Sequence, residues 1–202
     1  QLLLSGGPAH DFGATSDLLV DLLGAEGVST TVATEPADAV AALRGALDGT
    51  GEPVDLFTVN ALRWRMDQDR YAPQRAELAV TLEPDELAVL DGFVRGGGGM
   101  LALHTAVICF DAEPVWHQLC GASWRWDDEP VGDDGDHVIE RSSHPPVGPM
   151  AVEVTPAGHA HELTRGVDDF VIEDEAYGFL READDLDPLL VTRHGGRAHP
   201  LL

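Results

Sequence analysis

Gly96-Gly-Gly-Gly-Met-Leu-Ala-Leu-His104-Thr-Ala106 is the stretch on which the fold turns. It follows the clearest helical pattern in the chain, Thr81–Arg95, where Leu87, Leu90 and Val94 share one face and Pro84 lies near the start. Gly96 ends that helix, and the glycine run leads into a short apolar strand, Met100–His104. A buried strand followed at once by a polar residue and then small ones describes a strand-to-helix elbow. Such a bend holds its apex side chain above the edge of a sheet. The apex here is His104.

Working towards the amino terminus, strand and helix signals alternate. Leu2–Ser5 is an apolar run stopped by Gly6, Gly7 and Pro8, as a buried parallel strand would be. Leu18, Leu19, Leu22 and Leu23 recur at helical spacing, with Gly24 near the stop. Val28–Ala33 reads as a second strand, Val40, Leu43 and Leu47 mark a short helix, and Asp55–Asn60 is a third strand. This order predicts an α/β fold: a mostly parallel central sheet with right-handed crossovers and helices on both faces. Reactive groups in such sheets gather at the carboxyl ends of the strands, which directs attention to the loops after Ser5, Asn60 and His104. Towards the carboxyl terminus the pattern is less regular. Val138–Glu140, Val152–Thr155, Phe170–Glu173 and Leu189–Thr192 read as strands, and Trp124–Asp136 as an acidic loop. No repeat or linker divides the 202 residues, so one domain over 1–202 is expected.

Charge is the unusual feature of the composition. The chain has 36 acidic against 12 basic side chains, a net −24, and every basic one is arginine. Such a surface repels phosphate backbones and anionic lipid, which argues against nucleic acid and membrane as partners. No apolar run is long enough to span a bilayer, and no signal peptide is visible. The chain opens at Gln1 inside an apolar run, so a start upstream of Gln1 is expected. Cys109 and Cys120 form no CxxC pair and sit among apolar neighbours, the pattern of free thiols in a reducing cytoplasm.

In class I glutamine amidotransferases a cysteine activated by histidine stands at the elbow. His104 can serve as a base, a metal ligand or a hydrogen-bonding group for a sugar hydroxyl, but it is not a glutaminase nucleophile. Cys109, five residues on, is too far into the following segment to replace it.

Several stretches, in order, are similar to the ThuA-like (trehalose utilisation) family. Leu3-Leu-Ser-Gly-Gly with His10 and Phe12 resembles the family's opening, and Leu103-His104-Thr105-Ala106 its elbow. Trp116 and Leu119-Cys-Gly-Ala resemble the segment that follows. His161-Glu-Leu-Thr-Arg-Gly-Val167 and Asp174-Glu175-Ala-Tyr177 resemble a later loop and strand end. Two departures stand out: Glu162 replaces a proline, and the chain stops at Arg193-His-Gly-Gly-Arg-Ala-His-Pro-Leu-Leu202, short of the family's closing Gly-His, leaving His194 and His199 unassigned. The resemblance implies a three-layer, flavodoxin-like, class I amidotransferase-like sheet and a role in disaccharide or keto-sugar metabolism. It is compatible with a homodimer, which no sequence feature demands.

Three loops would then supply His10, His104 and His161, and a fourth Asp174, Glu175 and Tyr177. Convergence of the three histidines with a carboxylate could bind a divalent metal; no cofactor is otherwise indicated. Equally, His104, His161 and Glu175 could form an acid–base pocket around a small-molecule sugar, with His10, Asp174 and Tyr177 as binding groups. Asp174 and Glu175 are adjacent on a strand and point opposite ways, so at most one faces a pocket. Trp64, Trp116, Trp124 and Trp126 could stack on sugar rings. Trp116, at helical spacing from Leu119, fits the core better, whereas Trp124 and Trp126 share a face in a polar segment. His144-Pro-Pro and His159 read as surface loop histidines. The acidic runs Asp127–Pro130 and Asp133–Asp136 lack an EF-hand pattern.

Overall fold

The structure, a computed structural model, describes residues 1–126 and 141–202. Among these the chain divides into two compact units, Gln1–Cys120 and Gly121–Leu202.

The first unit runs β1 (Leu2–Gly6), α1 (Phe12–Ala25), β2 (Thr31–Ala33), α2 (Pro36–Asp48), β3 (Leu56–Ala61), α3 (Ala72–Leu78), α4 (Pro84–Arg95) and β4 (Gly99–Ala102). Tight 3-10 turns over His104–Ala112 then lead to α5 (Pro114–Cys120). Its strands form a four-stranded sheet in the order β2-β1-β3-β4, every neighbour parallel. Strand periodicity divides the labour between side chains. Leu2 and Leu4 of β1 and Phe57, Val59 and Ala61 of β3 join Leu43, Leu90, Phe93 and Trp116 in one apolar cluster. Each such fully buried large side chain contributes roughly 1.5–3 kcal/mol. The intervening positions bond α1 instead: Ser16 Oγ donates to Ser5 Oγ at 2.7 Å, and Asn60 Nδ2 donates to Thr15 Oγ1 at 2.8 Å and Ser16 Oγ at 3.0 Å.

Several sequence expectations shift in detail. The helix predicted from Thr81 begins at Pro84, because Glu83 is extended and forms a reciprocal capping box with Glu86. The strand predicted over Val28–Ala33 contracts to β2. Val28 N–H is drawn back to Leu23 O in closing the end of α1. Leu18 and Leu22 of α1 are each 58% exposed, and the helix buries only Phe12 and Ser16 completely. α3 was not legible, since Ala72–Leu78 buries no residue fully and so carries no apolar stripe.

The second unit contains β5 (Ala122–Ser123), β6 (Gly148–Val154), α6 (Pro156–Ala160), β7 (Phe170–Asp174), β8 (Arg181–Glu182), β9 (Leu190–His194) and β10 (Arg197–Pro200). Four strands form a sheet in the order β10-β9-β6-β7, and β5 pairs with β8. All these neighbours are antiparallel, so the parallel pairing expected of the sheet holds in the first unit alone. Connection length explains one of these pairs: β9 and β10 are joined by Gly195-Gly196, both at positive φ, and a two-residue turn permits only an antiparallel partner. The strand predicted at Val138–Glu140 and both acidic runs lie outside the described residues. The protein is therefore a mixed α/β chain with a four-stranded parallel sheet. Among the described residues no helix is long and apolar enough to cross a membrane.

Candidate functional site

His104 sits immediately beyond β4, and its surroundings leave it little freedom. Leu103 N–H donates to Val59 O at 3.0 Å, Thr105 Oγ1 to Ala61 O at 2.8 Å, and Trp116 Nε1 to Ala106 O at 2.9 Å. These bonds tie both sides of position 104 to β3 and the core, and the backbone turns by placing His104 at φ 48°. A non-glycine residue in that region is strained by about 1–2 kcal/mol. Thr105 and Ala106 are buried while His104 is exposed, so the bend turns its apex side chain outwards. The elbow read from the sequence is present, although 3-10 turns follow it rather than a regular helix.

His10 faces it. The loop from β1 to α1 ends at Asp11, whose carboxylate accepts Ala14 N–H at 3.0 Å and caps α1. Gly7 is required there: at φ 133°, an added Cβ would lie 2.3 Å from Leu62 O. The exposed His10 ring meets His104 edge-to-face, with centroids 5.2 Å apart and planes at 82°. The two imidazoles thus form a pair at the carboxyl end of the parallel sheet.

Cys109 does not contribute a nucleophile. Its thiol is fully buried, donates to Ala61 O at 3.2 Å and accepts Arg63 N–H at 3.3 Å, and burial pushes its pKa up to about 12. Asp111, two residues on and at φ 53°, accepts Arg65 N–H and pairs with the Arg65 guanidinium at 3.3 Å. Its side chain is 5% exposed, and burial raises its pKa to about 6.

In the second unit a different group assembles. Ser143 and Gly178 form an antiparallel bridge, with N–H···O distances of 3.1 and 2.8 Å. That register sets His144 opposite Tyr177, and their rings lie nearly parallel, 5.3 Å between centroids and 29° between planes. Glu175, just beyond the end of β7, reaches the His144 ring, and its Oε1 lies 3.5 Å from His144 Nδ1. Asp174 is exposed and accepts Glu175 N–H at 2.8 Å. Ser142 Oγ accepts Arg125 N–H at 2.8 Å, which brings Trp124 alongside: its ring is 5.2 Å from Tyr177 and 6.2 Å from His144. Trp126 lies 6.3 Å from Trp124, itself buried where Trp124 is half-buried. Burial, helped by the negative charges of Glu175 and Asp174, holds the Tyr177 hydroxyl above its ordinary pKa.

His144, which the sequence presents as a surface loop histidine, is exposed but belongs to this group. Its partners Glu175 and Tyr177 lie more than thirty positions away and Trp124 lies twenty away, and only the Ser143–Gly178 bridge reveals the register. His161 is exposed, and its Nδ1 accepts Leu163 N–H at 3.2 Å, capping the turn Glu162–Thr164. Trp64 is 3% exposed and packs edge-to-face on Tyr71, which corrects its candidacy as a sugar platform; Trp116 is in the core, as its spacing predicted. His199 is buried, with Nδ1 accepting Phe179 N–H at 3.2 Å and Nε2 donating to His194 O at 3.0 Å, a structural clamp. Among the described residues, no three His, Cys, Asp or Glu side chains come together to hold an ion.

A four-stranded parallel sheet whose elbow histidine projects beside a second imidazole defines the class as a mixed α/β protein with exposed polar groups at the carboxyl end of its sheet. The family model ThuA, described as trehalose utilisation, matches residues 72–202, more than half of the chain, and the chain belongs to that family. Its membership associates the protein with carbohydrate metabolism. The matched region includes His104, His144, His161 and Glu175, while His10 lies before it. A ThuA-like protein from Parabacteroides merdae, of known crystal structure, is similar in fold: TM-score 0.66 and 15% identity over 95% of this chain and 67% of that one. No curated protein matches the chain.

Proposed function

We propose that the chain binds or transforms a sugar of the trehalose or keto-glycoside class, with His104 and His10 as the polar groups at the carboxyl edge of the parallel sheet. A three-layer, flavodoxin-like arrangement in one domain would provide the scaffold. The observation that carries the reading is the exposed, left-handed placement of His104, edge-on to His10. Paired imidazoles can divide the work on a hydroxyl, one accepting its proton while the other donates to a neighbouring oxygen. Neutral sugars also suit a protein whose net charge of −24 disfavours anionic ligands.

Trehalose and a keto-glycoside made by oxidising one of its hydroxyls are the probes. Loss of one sugar-binding hydrogen bond costs about 1 kcal/mol, so His104→Ala is expected to weaken binding about fivefold or more, and to reduce any turnover by at least as much. Unchanged binding together with unchanged turnover in His104→Ala would overturn the assignment. Binding that depends on His104 without any turnover would favour a non-catalytic sugar-binding module.

A further inference from the structure

The second unit offers its own place for a sugar ring, and it is built around a residue that the sequence motifs leave aside. His144 Nδ1 lies 3.1 Å from Pro145 O and 3.5 Å from Glu175 Oε1. Both neighbours are acceptors, a carbonyl and a carboxylate. A lone pair on Nδ1 would be repelled by each, so Nδ1 carries the hydrogen. In the neutral ring Nε2 is then the unprotonated nitrogen, and with the His144 side chain 40% exposed it is available to a ligand. A carboxylate behind one imidazole nitrogen, holding the tautomer and raising the basicity of the other, is a general device for orienting histidine.

The rings beside it suit a particular ligand class. Trp124 is half-buried, and the Tyr177 ring beneath His144 fixes the imidazole plane. An aromatic surface next to one good hydrogen-bond acceptor and a partly exposed carboxylate matches a pyranose. Such a ring has an apolar C–H face and hydroxyls around its rim. We propose that Trp124, His144, Glu175 and Tyr177 form a carbohydrate-binding site in which His144 Nε2 accepts a hydrogen bond from a sugar hydroxyl and Glu175 is the positioning residue for His144. The sugar class rests on the functional reading above; the site itself rests on the side-chain geometry of the second unit.

Two measurements on the full chain test this, with trehalose as the probe. Nitrogen-15 spectra of the histidine rings are expected to show His144 as the Nδ1–H tautomer in the free protein, shifting towards Nε2–H in Glu175→Gln. An Nε2–H tautomer in the unaltered chain would overturn the arrangement. Calorimetric titration is expected to give about tenfold weaker trehalose binding in His144→Ala and in Trp124→Ala. Because His144 is exposed, His144→Ala is expected to keep the parent melting temperature even if Trp124→Ala does not. Weakening in His144→Ala with His104→Ala unchanged would support this site and remove the histidine pair. Weakening in His104→Ala with His144→Ala and Trp124→Ala unchanged would do the reverse. Absence of trehalose binding by the unaltered chain would overturn both.

Discussion

At position 104 the left-handed backbone and the exposed imidazole are two sides of one constraint. Thr105, Ala106 and Cys109 are buried and bonded to β3 or to α5, so the bend cannot relax by rotating them out. The strain is therefore kept at the one residue whose side chain points outwards. Glycine relieves left-handed strain, although it adds freedom to the unfolded chain, whereas alanine does neither. His104→Gly is thus expected to be more stable than His104→Ala by about 0.5–1 kcal/mol in urea unfolding. Equal stabilities would mean that the φ of 48° carries no cost. The comparison separates backbone strain from imidazole chemistry, because both variants lack the ring.

Between elements, Asp111 joins the loop after β3 to the turns that follow β4, through the Arg65 N–H and guanidinium. Its pKa, raised from 3.8 to about 6 by burial, makes that junction sensitive to pH. The folded state holds the Asp111 proton up to about pH 6, whereas the unfolded chain releases it near pH 4. Across that window the folded state binds more protons, so this group's contribution to stability falls as pH rises and recovers on acidification. Asparagine keeps an acceptor for the Arg65 N–H but cannot ionise. Asp111→Asn is expected to gain on the parent chain by about 2 kcal/mol between pH 4.5 and pH 7, read from urea midpoints. A constant difference across that range would show that Asp111 titrates normally. The second unit has a comparable junction, where buried His199 accepts Phe179 N–H on one side and donates to His194 O on the other.

Over the whole molecule, 36 carboxylates facing 12 arginines make the compact state repel itself. The described ion pairs include several exposed ones, such as Arg44–Asp85 and Arg95–Asp91, and pairs of that kind offset little. Screening acts on the net repulsion more than on these few attractions. Raising sodium chloride from 0.05 to 0.5 M is therefore expected to raise the melting temperature by about 3 °C or more. A flat or falling melting temperature would show that local ion pairs outweigh net charge.

The amino-acid sequence by itself determined the alternation of strands and helices in the first unit, the elbow at His104, the core position of Trp116, the buried thiol of Cys109 and the family. Each is written in nearby residues: a hydrophobic period, a glycine run, or a motif within a dozen positions. Tertiary structure alone decided that His10 meets His104, that the second unit's strands run antiparallel, and that His144 joins Glu175, Tyr177 and Trp124. Those facts depend on which distant segments pair, and in what register. A single bridge, Ser143 to Gly178, sets His144 against Tyr177, and a shift of one residue would have turned it to the other side.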